Sequence, residues 1–300
     1  MTNQPSQHFL DVADGKVYYE VRGSGPLLLV IGQPMTSGPF AAVADLLAED
    51  HTVVTYDPHG VGQSVMDDPP DLVTPEIEAD DLAKIIDAVG GGPADVFGSS
   101  GGAVAGLALV ANHPDKVRTL IAHEPPVGEL LPDAAQARAA VDEIEEAYRA
   151  HGSGAAWGKF ISLVMYDGPL PEEGVPPATW PPPGAEQSEG SEPPEGSEPA
   201  EDTAPPEPSA KQRADDETFF LRMLKPFTRY QPPIEALRSG PRVVIGVGAA
   251  SRGEMARRSA DALAERLGQT ATEFPGDHGG FMSDPPAFAA AVRAVLAQGD

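Results

Sequence analysis

The segment Gly98-Ser99-Ser100-Gly101-Gly102 has the pattern Gly-x-Ser-x-Gly with Ser100 at its centre, between the apolar run Ala94 to Phe97 and a run of small residues, Gly101 to Asn112. A strand that turns sharply into a helix at such a sequence presents the central hydroxyl at the edge of a sheet. Glycines are needed there because side chains would collide with the strand and helix backbones. The chemistry open to Ser100 is nucleophilic attack on a carbonyl carbon. A glycine-rich turn of this kind can also cradle a phosphate, but no lysine follows as a P-loop requires. Nor does a Gly-x-Gly-x-x-Gly with a ribose-binding acid.

A serine hydroxyl is a weak nucleophile near neutral pH and needs a base, for which histidine is suited because it titrates near 7. Seven histidines are present. His278, in Gly276-Asp277-His278-Gly279-Gly280-Phe281, lies in a loop of small residues after the last expected strand, where its ring can project over the carboxyl edge of the sheet. His113 stands at a helix end before Pro114, His51 opens a strand, and His8 and His151 lie in polar segments; solvated or structural roles suit these four. His59 and His123 fall near the same sheet edge and are further candidates to line a site.

The elements that must position these residues are legible from periodicity and turns. Strands are expected at His8–Val12, Lys16–Arg22, Leu27–Ile31, Thr52–Tyr56, Ala94–Phe97, Arg118–Ala122, Pro241–Val247 and Thr270–Phe274. The third and seventh are continuous apolar runs, the pattern of strands buried on both faces of a sheet. Helices are expected at Pro39–Glu49, Glu76–Val89, Gly101–Asn112, Ala134–Ala150, Ala155–Met165, Asp215–Leu224, Arg252–Leu267 and Pro286–Ala297. Strand and helix alternate, so the chain is an α/β protein with a mostly parallel eight-stranded sheet and helices on both faces. The rhythm breaks from about 128 to 238, which reads as a helical cap inserted into a core formed by 1–127 and 239–300. Within the cap, about 168–210 repeats Glu-Gly-Ser-Glu-Pro and holds almost no apolar residues, so it is expected to be disordered.

With the serine turn, the run Tyr56-Asp57-Pro58-His59-Gly60-Val61-Gly62-Gln63-Ser64 and the late Gly-Asp-His-Gly-Gly in view, the chain resembles the α/β-hydrolase fold superfamily, in its esterase- and lipase-like serine hydrolases. The resemblance covers about 8–127 and 239–297. It implies that Ser100 is the nucleophile and His278 the general base. It also implies an oxyanion hole made by the backbone N–H groups of Gln33 and Gly101. The family's His-Gly-x-Pro reads Ile31-Gly32-Gln33-Pro34 here, so its histidine is missing, and the Gln33 side chain can face the substrate. Many relatives carry the acid after the penultimate strand, but that loop here is Gly248-Ala249-Ala250-Ser251-Arg252-Gly253-Glu254, with no aspartate. Others carry it after the strand that follows the nucleophile helix, where Glu124 stands, which makes Glu124 the expected acid and Glu254 the alternative. Asp277 adjoins His278 and should point away from it, and Asp57 matches a structural loop residue. Phe40, Trp157, Met165, Tyr166, Met223, Phe281 and Met282 are candidates for the acyl pocket.

Composition narrows the rest. A net charge of −26 repels nucleic acid phosphates and anionic membranes, so neither is an expected partner. Ten acidic residues and no Lys or Arg fall between Glu172 and Glu207. The absence of cysteine excludes thiolate nucleophiles and cysteine-bound metals. No cofactor or metal motif is present, and none is expected. The start of the chain has neither the basic residues nor the apolar stretch of a secretory signal, which points to the cytoplasm. The expected activity is hydrolysis of a small ester, thioester or lactone through an acyl-enzyme on Ser100. A perhydrolase or haloperoxidase-like activity, a carbon-carbon bond hydrolase and a non-catalytic small-molecule-binding homologue stay open.

Overall fold

The structure is a computed structural model and describes residues 4–175 and 208–298. β1 (Ser6–Val12) and β2 (Gly15–Gly23) form an antiparallel hairpin that meets the rest of the sheet through β2. β3 (Leu27–Gln33) is buried at every position, as its unbroken apolar run requires. α1 (Ala41–Leu47), β4 (Thr52–Tyr56), the two-residue β5 (Val65–Met66) and α2 (Pro75–Val89) follow. Thr74 caps α2 by accepting the Ile77 N–H, with Pro75 at the first turn. β6 (Ala94–Ser100) runs directly into α3 (Gly101–Asn112), and β7 (Val117–His123) lies beside β6.

The chain then leaves the sheet for α4 (Ala134–His151), α5 (Ser153–Val164) and α6 (Ala210–Glu217). The last runs through a π-helical turn, Thr218–Met223, into α7 (Leu224–Thr228). α8 (Ile234–Ser239) returns it to β8 (Arg242–Gly248), and α9 (Met255–Leu267), β9 (Thr272–Phe274), α10 (Gly280–Ser283) and α11 (Pro285–Leu296) complete the fold. The expected eight strands lie in the order β1-β2-β4-β3-β6-β7-β8-β9, with β5 added beside β2. Every pairing from β4 to β9 is parallel. One face packs against α1, α10 and α11 through Phe40, Leu47, Phe281 and Phe288. The other packs against α2, α3, α8 and α9 through Leu82, Leu107, Leu237 and Leu263.

Successive parallel connections run outward from β3 in opposite directions, to β4 on one side and β6 on the other. At such a reversal the loops at the carboxyl ends of the strands part and leave a crevice. Gln33 and Ser100 stand opposite each other in register there, at the ends of β3 and β6. α3 lies close over β3: a Cβ added at Gly102 would stand 2.4 Å from the Ile31 carbonyl oxygen. Gly102→Ala must therefore push helix and strand apart, and its expected cost is about 2 kcal/mol or more in urea unfolding.

Most of the 168–210 tract, residues 176–207, lies outside the described residues. At its start the expectation of disorder is corrected: Leu170 is buried and its N–H donates to Asp133 Oδ2 at 2.7 Å. Burial opposes ionisation of Asp133, but its bonds from Arg258 and Leu170 hold its pKa below the usual carboxylate range. Among the described residues no helix is long and apolar enough to cross a membrane.

Candidate active site

Ser100 ends β6 and is the N-cap of α3, with φ 55° and ψ −123°. Only one other non-glycine among the described residues has positive φ, and it is Glu124 (φ 48°), the first residue after β7. Such backbone costs of the order of 1–3 kcal/mol and persists only where the surroundings impose it, so its occurrence at these two positions marks them out. At Ser100 the cause is close packing, since a Cβ at Gly98 would stand 2.5 Å from the Gly102 carbonyl oxygen.

The structure brings Glu124 and His278 together. His278 Nδ1 donates to Glu124 Oε2 at 2.6 Å, and the other carboxylate oxygen accepts the Gly248 N–H at 2.8 Å. Glu124 is 1% exposed. Burial alone would raise its pKa, but the bond and charge of His278 and the Gly248 amide outweigh it and hold the carboxyl at about 2. The ionised carboxylate can only accept, so it fixes the proton on Nδ1 and leaves Nε2 as a lone-pair nitrogen. Glu254 makes no hydrogen bond to His278; its Oε2 accepts the Arg252 N–H at 2.6 Å. Asp277 bonds the Gly279 N–H instead of His278.

His123 does not line the cavity. It is fully buried beneath His278, the two rings stacked with centroids 6.3 Å apart, and Ser99 Oγ lies 3.4 Å from its Nδ1. Burial lowers its pKa to about 4, so it is neutral and adds no competing charge under the other imidazole. An unfolded chain takes up a proton there below about 6.5 that the folded one refuses until about 4, so stability falls as pH falls across that window. Compared with a His123→Phe variant by urea unfolding, the wild type is expected to lose roughly 3 kcal/mol more between pH 6.5 and 4.

A cavity joins these groups. Gln33, Pro34, Ser100, Gly101 and His278 line its sheet side. Its far wall is apolar apart from Thr228: Phe160, Leu163 and Val164 from α5, Phe219 and Met223 from the π turn, Leu224 and Phe227 from α7, and Met255 from α9. Of the expected pocket residues only Met223 is among them. Phe40 and Phe281 are buried in the core on the opposite face, Trp157 stacks on Phe219 outside the cavity lining, Tyr166 is half-buried against the core, and Met165 and Met282 are exposed. The wider π turn brings positions 219, 223 and 224 to one side, an offset that helical periodicity does not reveal. Ser100 and His278 face the same space, and no hydrogen bond joins them. Gln33 and Gly101 flank Ser100 at the N-terminus of α3, where unpaired amides and the helix dipole favour negative charge.

Asp57 secures the rim. Its Oδ1 accepts the Ser37 N–H and hydroxyl, both at 2.9 Å, and its Oδ2 accepts the Gln63 N–H at 2.7 Å, tying the loop after Gln33 to the loop after β4. His59 lies away from the cavity, buried between Asp81 and Asp14.

Comparison with known proteins agrees with this architecture. The profile of the alpha/beta hydrolase fold family matches residues 25–247. YraK, an uncharacterized hydrolase of Bacillus subtilis (strain 168), is 30% identical over 279 residues, which is 91% of this chain and 89% of that protein. A putative carbamate hydrolase, RutD, of Caulobacter segnis is 38% identical over 103 residues, a local match to 34% of this chain and 39% of that protein. A thermophilic esterase from Thermogutta terrifontis superposes with a TM-score of 0.67 at 18% identity, covering 99% of both chains. An alpha/beta hydrolase from Sphaerobacter thermophilus DSM 20745 does so with 0.63 at 23% identity, covering 96% of this chain and 100% of that one. By the family match over most of its length and by its sheet order, the chain belongs to the α/β hydrolase fold family.

Proposed function

We propose that the protein is a serine hydrolase that cleaves a small, neutral ester-like substrate, an ester, thioester or lactone, through an acyl-enzyme on Ser100. The observation that carries this reading is the convergence of Ser100 and His278 on one apolar cavity, with His278 held from behind by an ionised, buried Glu124. In the proposed cycle His278 Nε2 takes the Ser100 proton as Oγ attacks the carbonyl carbon, and Glu124 steadies the resulting imidazolium. The Gln33 and Gly101 amides receive the oxyanion. Its collapse expels the alcohol, which takes the proton from His278. Water activated by the same imidazole then releases the acid and frees Ser100.

The wall supports a substrate without charge, because a carboxylate or ammonium group buried against Phe160, Phe219, Leu224 and Phe227 would lose hydration with nothing to replace it. The name of the local relative RutD adds carbamates to the panel worth assaying. The test is labelling with a fluorophosphonate and mapping of the modified residue by mass spectrometry. Adduct on Ser100, absent in Ser100→Ala, is expected, along with turnover of short-chain nitrophenyl esters. A folded protein that takes no label and turns over none of these esters would reverse the reading in favour of a small-molecule-binding homologue.

A further inference from the structure

Behind Gln33, away from the Ser100 and His278 side, lies a line of buried polar groups that the proposed cycle does not use. Gln33 Nε2 donates to the Tyr56 hydroxyl, which donates to Glu78 Oε2 at 2.7 Å. Glu78 Oε1 accepts the backbone N–H of His59 at 3.0 Å. The His59 ring bridges Asp81 Oδ2 at 2.8 Å and Asp14 Oδ2 at 3.0 Å. Gln33, Tyr56, His59, Glu78 and Asp81 are each exposed by 2% or less, and Glu78 not at all. A carboxyl in such a place is costly and gives less stability than an apolar side chain of its size, so packing alone does not account for it.

The line ends on the residue whose backbone amide is assigned to the oxyanion, and it ends unevenly. Gln33 Oε1 is buried and has no hydrogen-bond partner. With Glu78 ionised, the bonding must run as observed, since the carboxylate only accepts, the phenol gives it its one proton, and the Gln33 NH2 fills the phenol oxygen. With Glu78 protonated, its O–H donates to Tyr56 instead. The phenol proton is then released toward Gln33, where only the amide oxygen can accept it, and the amide must turn over. The proton involved comes from solvent and returns to it.

We propose that Glu78 and Tyr56 are positioning residues for the oxyanion side of the cavity: they hold the Gln33 side-chain amide in one orientation and so anchor the residue whose backbone N–H faces the oxyanion, and a proton on Glu78 releases it. This inference rests on the serine-hydrolase reading and adds to it a residue outside the cavity.

The groups facing Glu78 are Tyr56 at the end of β4, His59 in the following loop and Asp81 on its own helix, with Asp14 and Lys84 paired to the last two. Burial and the nearby Asp81 raise its pKa against the opposing effects of Tyr56 and His59, to about 7. The held state is therefore filled as pH rises through neutrality, and Glu78 adds its own deprotonation to the acid limb of log kcat, beyond the one that a general base already requires.

The experiment measures kcat and KM for a short-chain nitrophenyl ester from pH 5 to 9 on wild type, Glu78→Gln and Tyr56→Phe, each checked for folding by thermal melting. The expected result is an acid limb steeper than one proton in the wild type and of one proton in Glu78→Gln. At pH 8, kcat is expected to fall about tenfold to a hundredfold in both variants with KM within about threefold, short of the loss from removing an oxyanion donor outright. Folded variants with wild-type kcat and profile overturn the inference. If either variant fails to fold, Gln33→Met keeps the volume and leaves the Tyr56–Glu78 bond, and it must show the same fall and the same one-proton limb. Wild-type behaviour in Gln33→Met overturns the inference equally. Fluorophosphonate labelling separates the two readings. Wild type that takes no label at Ser100 defeats the serine-hydrolase reading, whereas labelled wild type with unaltered variants defeats only the role of Glu78 and Tyr56.

Discussion

Ser100→Ala is expected to lower kcat for a nitrophenyl ester by about 10⁴-fold or more with little change in melting temperature, because removing the proposed nucleophile removes the proposed covalent route. Its neighbourhood makes the substitution clean. Ser100 is only partly buried, no hydrogen bond of its side chain caps α3, and the strained φ is imposed by Gly98 and Gly102 packing, not by the hydroxyl. Residual turnover in the variant would come from the amides and the cavity alone. A Ser100→Ala protein that keeps more than a tenth of wild-type kcat would place the reactive group elsewhere.

Glu124→Gln is expected to be nearly as damaging, by about 10⁴-fold in kcat, and the reason lies in its second partner. The Gly248 N–H can only donate, so the amide oxygen of a glutamine must face it, and the NH2 must face His278 Nδ1. The imidazole is then forced to accept at Nδ1 and carry its proton on Nε2, the tautomer that cannot take a proton from Ser100. Glu254→Gln should leave kcat within about twofold, since its carboxylate meets only the Arg252 amide in an exposed loop. The reverse pattern, measured on folded variants, would move the acid to Glu254.

The sheet could be read from the sequence because its cause is local: apolar runs such as Leu27–Ile31, interrupted by glycine loops and amphipathic helices, have few other ways to be buried. Ser100, His278 and Glu124 could be singled out for a related reason, as each stands where a strand ends at the carboxyl edge. What could not be read depends on long-range packing. The cavity wall is drawn from α5, the π turn, α7 and α9, and nothing in the spacing of Phe160, Phe219 and Met255 says that they converge. The same limit explains why Phe40 and Phe281 were expected at the pocket: in fact they stack on each other, 4.6 Å between centroids, on the far face of the sheet. The buried line behind Gln33 joins β3, β4, the loop after β4 and α2, and Tyr56, Glu78 and Asp81 taken singly read as ordinary strand or helix positions.

Glu124 is followed at once by Pro125 and Pro126, and from there the chain departs for α4 to α8. Prolines fix φ and stiffen the residue before them, so the root of the excursion is a rigid post and not a hinge. Pro126 itself lines the cavity, two residues from the carboxylate that holds His278. The excursion is joined to the core again through Arg258, which pairs with Asp133 and donates to the Gly168 carbonyl, and through the Gly168 N–H, which donates to the Gly253 carbonyl in the loop whose Gly248 amide holds Glu124. The far wall and the Glu124–His278 pair therefore share a support, and breaking the Asp133–Arg258 pair is expected to disturb both together.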